Sequence, residues 1–228
     1  MRRTVETTAR MLLIASVFVL IPVGYSGATD SDPKNYLLLK LGAYSPQHDD
    51  LDYFDKGFNG EFYYGRYFHK NFASEIGVGY FKSNGRRSFS VTSPIPGATA
   101  TELLEDSLKV IDILYTIKGI LPIGRLELFA GPGIGLYFAK VNSVATTTTV
   151  VPLLGTVVTK ESGDDLKNAF GFHVLAGANF NITKEWFIGV EGKYFWAKTD
   201  KTLEPIAAGF FGSHLDGLVG TASMGWRF

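Results

Sequence analysis

The last stretch of the chain, Leu215 to Phe228, sorts its alternate residues into two chemistries. Leu218, Gly220, Ala222, Met224, Trp226 and Phe228 are apolar or small. The interleaved Gly217, Thr221, Ser223, Gly225 and Arg227 are polar or small, with only Leu215 and Val219 apolar among that set. A period of two puts the sets on opposite faces of a β-strand. One two-faced strand is not stable alone and needs partner strands beside it.

Such partners run through the chain from Asn35 onward. Tyr36–Tyr44 sets Leu37, Leu39, Leu41 and Ala43 against Lys40 and Gly42. Phe58–Phe68 sets Phe58, Gly60, Phe62, Tyr64 and Phe68 against Asn59, Glu61 and Gly65. Phe72–Phe81 sets Phe72, Ile76, Val78 and Tyr80 against Glu75, Gly77 and Gly79. Leu108–Gly119 opposes Ile111, Ile113, Tyr115 and Ile117 to Asp112, Thr116 and Lys118. Leu126–Ala139 opposes Leu128, Ile134, Leu136 and Phe138 to Glu127, Gly131, Gly133 and Gly135. Ala169–Ile182 opposes Phe170, Phe172, Val174 and Phe180 to Gly171, His173, Gly177 and Asn179, and Trp186–Ala197 opposes Trp186, Ile188, Val190, Tyr194 and Trp196 to Gly189, Glu191 and Lys193. With the last segment these make eight strands.

Their connections alternate in length. Those at 69–71, 121–125 and 183–185 are tight turns, whereas 45–57, 82–107, 140–168 and 198–214 are long. Tight turns at one end and long loops at the other fit an up-and-down barrel threaded through a membrane. The distribution of charge gives the same answer. The apolar faces carry almost none, Arg66 near a turn being the exception, where its stem can lie along the barrel and its head reach the interface. The other faces hold Lys40, Glu61, Glu75, Asp112, Lys118, Glu127, His173, Glu191, Lys193 and Arg227. A soluble barrel has its apolar side inside, so this pattern is inverted. The charged residues are therefore expected to pair across a narrow interior filled by side chains. Trp186 and Trp196 share a face ten residues apart. At ~3.3 Å per residue and a tilt of ~40° they stand ~25 Å apart in height, which suits two aromatic girdles.

The N-terminus reads as a secretory leader. Arg2, Arg3 and Arg10 precede the apolar run Met11–Val23, which Pro22 and Gly24 interrupt, and Ser26-Gly27-Ala28 supplies small residues for cleavage. That run is shorter than the ~20 residues a spanning helix needs. The expected organisation is a cleaved signal peptide over 1–28, a short periplasmic segment over 29–34 and a barrel over 35–228. Lys+Arg and Asp+Glu both number 22, which gives no basic excess that would point to nucleic acid. Removing the leader leaves 19 basic and 21 acidic residues. The absence of cysteine excludes disulfides, thiolate metal sites and a cysteine nucleophile.

Gly225-Trp226-Arg227-Phe228 resembles the C-terminal signature of bacterial outer-membrane barrels, whose final strand ends in aromatic-x-Phe. Leu126–Tyr137, with its Ala130-Gly131-Pro132-Gly133-Ile134-Gly135 core, and the hairpin from Phe172 through Trp186 to Tyr194 resemble strands of the OmpA, OmpX and OmpW-type barrels. The resemblance implies an all-β, eight-stranded antiparallel transmembrane barrel in the outer membrane of a Gram-negative bacterium. Both termini and the short turns would be periplasmic, and the long loops extracellular. It implies that Met224, Trp226 and Phe228 form the signal read by the barrel assembly machinery, and that outer-membrane lipid and lipopolysaccharide surround the product. It says little of function, since these barrels differ mainly in their loops.

No catalytic pattern stands out and no cofactor is implied. His48, His69, His173 and His214 lack metal-ligand spacing. Small lipid-A deacylase barrels carry a lipid-facing His-x-Ser on a late strand, and Glu191–Thr199 has no such pair; Ser213 and His214 are adjacent, so in a strand they would point to opposite faces. Asp49, Asp50, Asp52 and Asp55 in the first loop read as a solvated cluster rather than a cation site. The third loop has β-branched runs, Val144–Val151 and Thr156–Lys160, around Pro152-Leu153-Leu154-Gly155, which predicts a hairpin extending its strands above the membrane. The fourth is apolar at Pro205, Ile206, Ala207, Ala208, Phe210 and Phe211. Val151, Leu153, Leu154, Ile206, Phe210 and Phe211 are thus the candidates for contact with a partner or a small hydrophobic ligand, as in the OmpW family. The expectation is a non-enzymatic barrel, structural or binding, that passes or captures small hydrophobic molecules, with adhesion through the extended loops as the alternative and lipid-modifying catalysis as a third.

Overall fold

A computed structural model describes residues 34–48, 51–91, 98–151, 155–199 and 214–228. The expected leader lies outside them, as do Leu153, Leu154, Ile206, Phe210, Phe211 and Ser213 of the loop readings.

Eight strands follow in order: β1 (Asn35–Pro46), β2 (Gly57–His69), β3 (Phe72–Val91), β4 (Thr99–Ile123), β5 (Leu126–Val151), β6 (Gly155–Asn181), β7 (Trp186–Thr199) and β8 (Gly217–Arg227). Each pairs antiparallel with its chain neighbours, and β1 pairs with β8 from Tyr36↔Arg227 to Pro46↔Gly217, which closes the ring. The eight-stranded all-β architecture expected from the alternation is therefore present. The ends are tied by backbone, Asn35 N–H donating to Phe228 O at 3.2 Å and Phe228 N–H to Asn35 O at 2.8 Å. Among the described residues no helix is long and apolar enough to cross a membrane.

The turn between β4 and β5 is tighter than the expected 121–125. Leu121, Pro122 and Ile123 belong to β4 and pair with Leu128, Glu127 and Leu126. Only Gly124 and Arg125 turn, with Gly124 at φ +64°, a left-handed conformation that glycine adopts without a Cβ penalty.

At the other end the expectation of a loop over 82–107 is wrong. Most of it is strand: β3 and β4 stay in register from Lys82↔Lys109 to Val91↔Ala100. Both alternating sets there contain polar residues (Ser83, Asn84, Arg86 and Arg87 on β3; Glu102, Glu105 and Asp106 on β4). The apolar-polar contrast ends where lipid would end, but the hydrogen-bond ladder does not. The predicted hairpin of β5 and β6 is also continuous strand, paired up to Val151↔Gly155. Strands β3 to β6 thus rise as a four-stranded sheet beyond β1, β2, β7 and β8. From Lys140 to Val151 the rise is ~36 Å along the strand at ~3.3 Å per residue.

Loop one is strapped to this sheet. Phe54 bridges Gly85, Asp55 N–H donates to Asn84 O at 2.8 Å, and Ser83 Oγ donates to Asp55 O. Leu51 and Phe54 are buried, so apolar burial adds to these bonds in holding the loop. The Arg87 guanidinium stacks 3.3 Å from the Tyr53 ring centroid. Burial, helped by nearby Asp106 and opposed by Arg87, holds the Tyr53 phenol above its ordinary range. Asp49 and Asp50 lie outside the described residues, and among those described no group of acids and histidines is placed to hold a metal.

The outer face is apolar between the ends, with Leu39, Leu41, Phe62, Val78, Ile111, Phe172, Val174, Val190, Met224 and others exposed. The inner face holds rings as well as the charges and glycines that the alternation places there. It carries Tyr36, Tyr44, Tyr63, Phe81, Phe129, Tyr137, Phe187 and Phe195, all buried. The glycines make room for these rings. A Cβ on Gly65 would stand 2.1 Å from the Tyr36 ring, one on Gly77 2.3 Å from Tyr63, and one on Gly225 2.1 Å from Phe187. Small residues beneath large ones fill a narrow barrel. Gly65→Ala is therefore expected to cost about 1–3 kcal/mol by overpacking, whereas Gly192→Ala, with nothing within 4 Å of its Cβ, is expected to be close to neutral. Urea unfolding of the two variants in lipid vesicles checks the contrast. Equal costs would mean that the ring of Tyr36 does not rest on Gly65.

Candidate functional site

Six charged side chains meet halfway up the lumen. They come from β1 (Lys40), β2 (Glu61), β3 (Glu75), β4 (Lys118) and β7 (Glu191, Lys193), and period-two alternation aims each of them inward. All six are buried, Lys40 completely. Lys40 Nζ donates to both Glu191 oxygens at 2.7 Å. Lys118 Nζ donates to Glu75 at 2.8 Å and to Glu191 at 3.2 Å, and Lys193 pairs with Glu61. Lys40 also lies 3.9 Å from Glu75. Three ammonium groups thus face three carboxylates.

Neutral residues complete the shell. The Tyr36 hydroxyl donates to Glu75 at 2.7 Å, the Tyr63 hydroxyl to Glu61 at 2.9 Å, and the Asn59 amide to Glu61 at 3.0 Å. Lys40 sits 4.1 Å over the Tyr63 ring and Lys118 4.2 Å over Phe129. Buried charges need this degree of satisfaction, because desolvation otherwise exceeds the attraction between them.

Asp112 does not join the pairing assigned to the group. It is buried and leans across Gly79 toward Glu61, where a Cβ on Gly79 would stand 2.2 Å from Asp112 Oδ1 and 3.1 Å from Glu61 Cγ. Among the described residues it has no ion-pair partner within 4.0 Å, and its Oδ1 accepts no hydrogen bond. The three glutamates already occupy the three ammonium groups. His173 lies apart, with Nε2 2.8 Å from Thr116 Oγ1.

Glu127 and Arg227 form a second, separate cluster at the short-turn end. Arg227 Nη2 donates to Glu127 at 2.8 Å and Nη1 to Asn181 Oδ1 at 2.8 Å; the Asn181 amide donates to Glu127 at 3.0 Å. The guanidinium lies 4.4 Å from the Phe187 ring centroid. Toward the long-hairpin end an aromatic tier covers the central six. Tyr44 and Phe81 centroids are 4.4 Å apart and Tyr137 and Phe195 5.1 Å, with Phe195 also against Phe81 and Tyr44. Along the lumen lie, in order, a lower ion pair, a central charged network and an aromatic tier.

Outside, Trp186 stands against Trp226 at 6.4 Å, and Trp226 stacks on Phe228 at 5.1 Å, at the short-turn end. Met224 is exposed on the same face. Trp196 packs on Tyr194 at 4.6 Å, higher on β7. Val151 ends β5 and is buried.

Sequence reasoning placed Asn59 inward without a role and missed Tyr36, Tyr63, Asn181 and Tyr67, whose hydroxyl accepts from Arg227 at 3.3 Å. Parity with Lys40 and Glu61 was the available signal for the three tyrosines. Ser213 lies outside the described residues; His214 bridges Lys198 and stacks on His48 at 4.6 Å.

The fold can be set beside solved structures. Neisserial surface protein A aligns with 85% of this chain and 97% of its own, at 11% identity and a TM-score of 0.49. Ail, the attachment invasion locus protein of Yersinia pestis, aligns with 86% of this chain and 99% of its own, at 16% identity and a TM-score of 0.40. The N-terminal barrel domain of Pseudomonas aeruginosa OprF aligns with 86% and 100%, at 10% identity and a TM-score of 0.34. No curated protein sequence matches the chain. Residues 13–228, which take in every strand of the closed ring, match the family description of the outer membrane protein beta-barrel domain, and the chain belongs to that family.

Proposed function

We propose that this outer-membrane barrel is closed to passage and acts as a non-enzymatic binding protein through the sheet that β3 to β6 raise above the band of exposed apolar residues. The observation that carries the reading is the shape of the sheet. β6 continues from Asn168 to Gly155 with its side chains exposed or half-exposed, while β7 pairs with it only as far as Ala169↔Thr199. Among the described residues the β6 edge from 155 to 168 pairs only with β5. Such an edge, flanked by exposed Val157, Val158 and Leu166, offers main-chain donors and acceptors to an extended segment of another protein. In this reading both termini and the short turns lie in the periplasm, the projecting sheet faces the cell exterior, and the lumen passes no hydrophobic molecule. The paired charges support closure, since a path through them would have to separate buried ions.

The test shortens the projection. A variant in which β3–β4 and β5–β6 are closed by tight turns just above Lys82 and Lys140 should still fold and show heat-modifiable mobility on gels. Cells bearing it should lose attachment to a protein-coated surface that wild-type cells hold. Unchanged attachment would contradict the reading.

A second reading, capture of a small apolar molecule, draws on the inner face of the same hairpins, where Ala100, Leu104, Val141, Ala145 and Val151 are buried. It predicts that a hydrophobic fluorophore binds wild-type protein and not the shortened variant, with attachment unaffected.

A further inference from the structure

Strand register places three lysines in one row on the outer surface. Lys82 on β3 is opposite Lys109 on β4, and Lys109 is opposite Lys140 on β5. Below them lie two apolar rows, Tyr80–Ile111–Phe138 and Val78–Ile113–Leu136; above lies the polar row Asn84–Ser107–Asn142. On all three strands the chemistry therefore changes from apolar to cationic to polar at one level. That level is the rim of the lipid-facing band.

Like charges directly opposite one another on neighbouring strands are destabilising. The acids nearby relieve the row at one end only. Lys140 Nζ lies 2.9 Å from Asp164, with both side chains exposed. Glu105, two rows above the lysines on β4, faces Arg86 at 3.7 Å. Among the described residues Lys82 and Lys109 have no carboxylate within 4.0 Å. Strands lie ~4.8 Å apart, so the row spans ~10 Å. Lysine stems can lie along the apolar rows below while the ammonium groups stay at the interface. A multiply anionic group held at the rim of the band would cancel the repulsion.

We propose that Lys82, Lys109 and Lys140 form a binding site for the phosphate groups of a phosphorylated lipid in the outer leaflet, of the lipopolysaccharide type. The inference rests on the outward orientation of the projecting sheet given under the proposed function.

The mature chain, refolded in an uncharged detergent, is titrated with lipopolysaccharide, with the same lipid after enzymatic dephosphorylation, and with inorganic phosphate. Binding is read as the rise in the thermal midpoint of the barrel. Lipopolysaccharide should raise the midpoint of wild type, and the K82Q/K109Q variant should need about thirtyfold more lipid for the same rise. Dephosphorylated lipid and millimolar phosphate should leave wild type unmoved, and K160Q, high on the projection, should behave as wild type. Without lipid at low salt, K82Q/K109Q should melt at the wild-type temperature or above it, because the substitutions relieve repulsion. Equal lipid response in wild type and K82Q/K109Q overturns the site, and an equal rise with inorganic phosphate overturns the lipid assignment. Orientation is read separately. The chain lacks cysteine, so T159C is a single label, and a membrane-impermeant maleimide should reach it on whole cells. Protection there overturns the outward orientation and the outer-leaflet assignment with it, while the titration still decides the lysine site.

Discussion

Lys40→Met should cost the barrel about 3–5 kcal/mol, because it leaves a buried carboxylate without its principal partner. Lys40 is completely buried and donates to both oxygens of Glu191 at 2.7 Å. Methionine fills nearly the same volume, so the loss is one of charge. Glu191 then keeps only Lys118 at 3.2 Å, and Lys118 is already engaged by Glu75 at 2.8 Å. Two ammonium groups would face three carboxylates, with Asp112 a fourth nearby. The double variant Lys40→Met/Glu191→Met should recover most of the loss, since replacing a whole buried pair with apolar side chains is often neutral or better. Urea titration of both variants in lipid vesicles gives the two free energies. A cost under ~1 kcal/mol for the single variant would mean that water reaches the network.

The second large effect concerns the outer face. Val190 is 61% exposed and Val158 is 56% exposed, so the two valines are nearly alike by accessibility alone. Their surroundings differ. Val190 lies between Trp186 and Trp196 on β7, whereas Val158 sits high on the β6 projection. Val190→Arg should cost about 2–4 kcal/mol, the price of arginine near the bilayer midplane, and Val158→Arg about 0–1 kcal/mol. Unfolding in vesicles is the measurement. Similar costs at both sites would place the apolar band elsewhere.

These cases show what could be read from the sequence and what could not. Leu39 and Leu41 against Lys40 fixed the inside and outside of β1, because lipid and a charged lumen demand opposite chemistry at adjacent residues. The ten-residue spacing of Trp186 and Trp196 leads to an expected band height of ~25 Å for a similar reason, and the Val190 and Val158 variants test where that band lies. The signal failed where water wets both faces. Asn84 to Val91 and Thr99 to Ser107 are strand, but neither alternating set there is consistently apolar. The lumen was legible by sign and not by partner. Which lysine meets which glutamate depends on stagger around the closed ring, and only Lys40↔Glu61 are direct neighbours on paired strands. Even so, the nearest ion-pair contact of Lys40 is with Glu191 on β7, reached past the intervening β8. The rings seated over Gly65, Gly77 and Gly225 were hidden likewise. Single alternating segments show a glycine or an aromatic, and the register alone shows that one lies over the other. Asp112 looked equivalent to the other inward acids, and only the three-to-three match of lysines and glutamates sets it aside.

Whether the lumen is closed to ions is decided by planar-bilayer recording of the refolded mature chain. No discrete openings at either polarity are expected from wild type, in protein that shows heat-modifiable mobility on gels, nor from the variant with the shortened projection. Discrete, ion-selective openings from the intact protein would contradict the account, and would make the charges around Lys40, Glu75 and Glu191 the lining of a path rather than its plug.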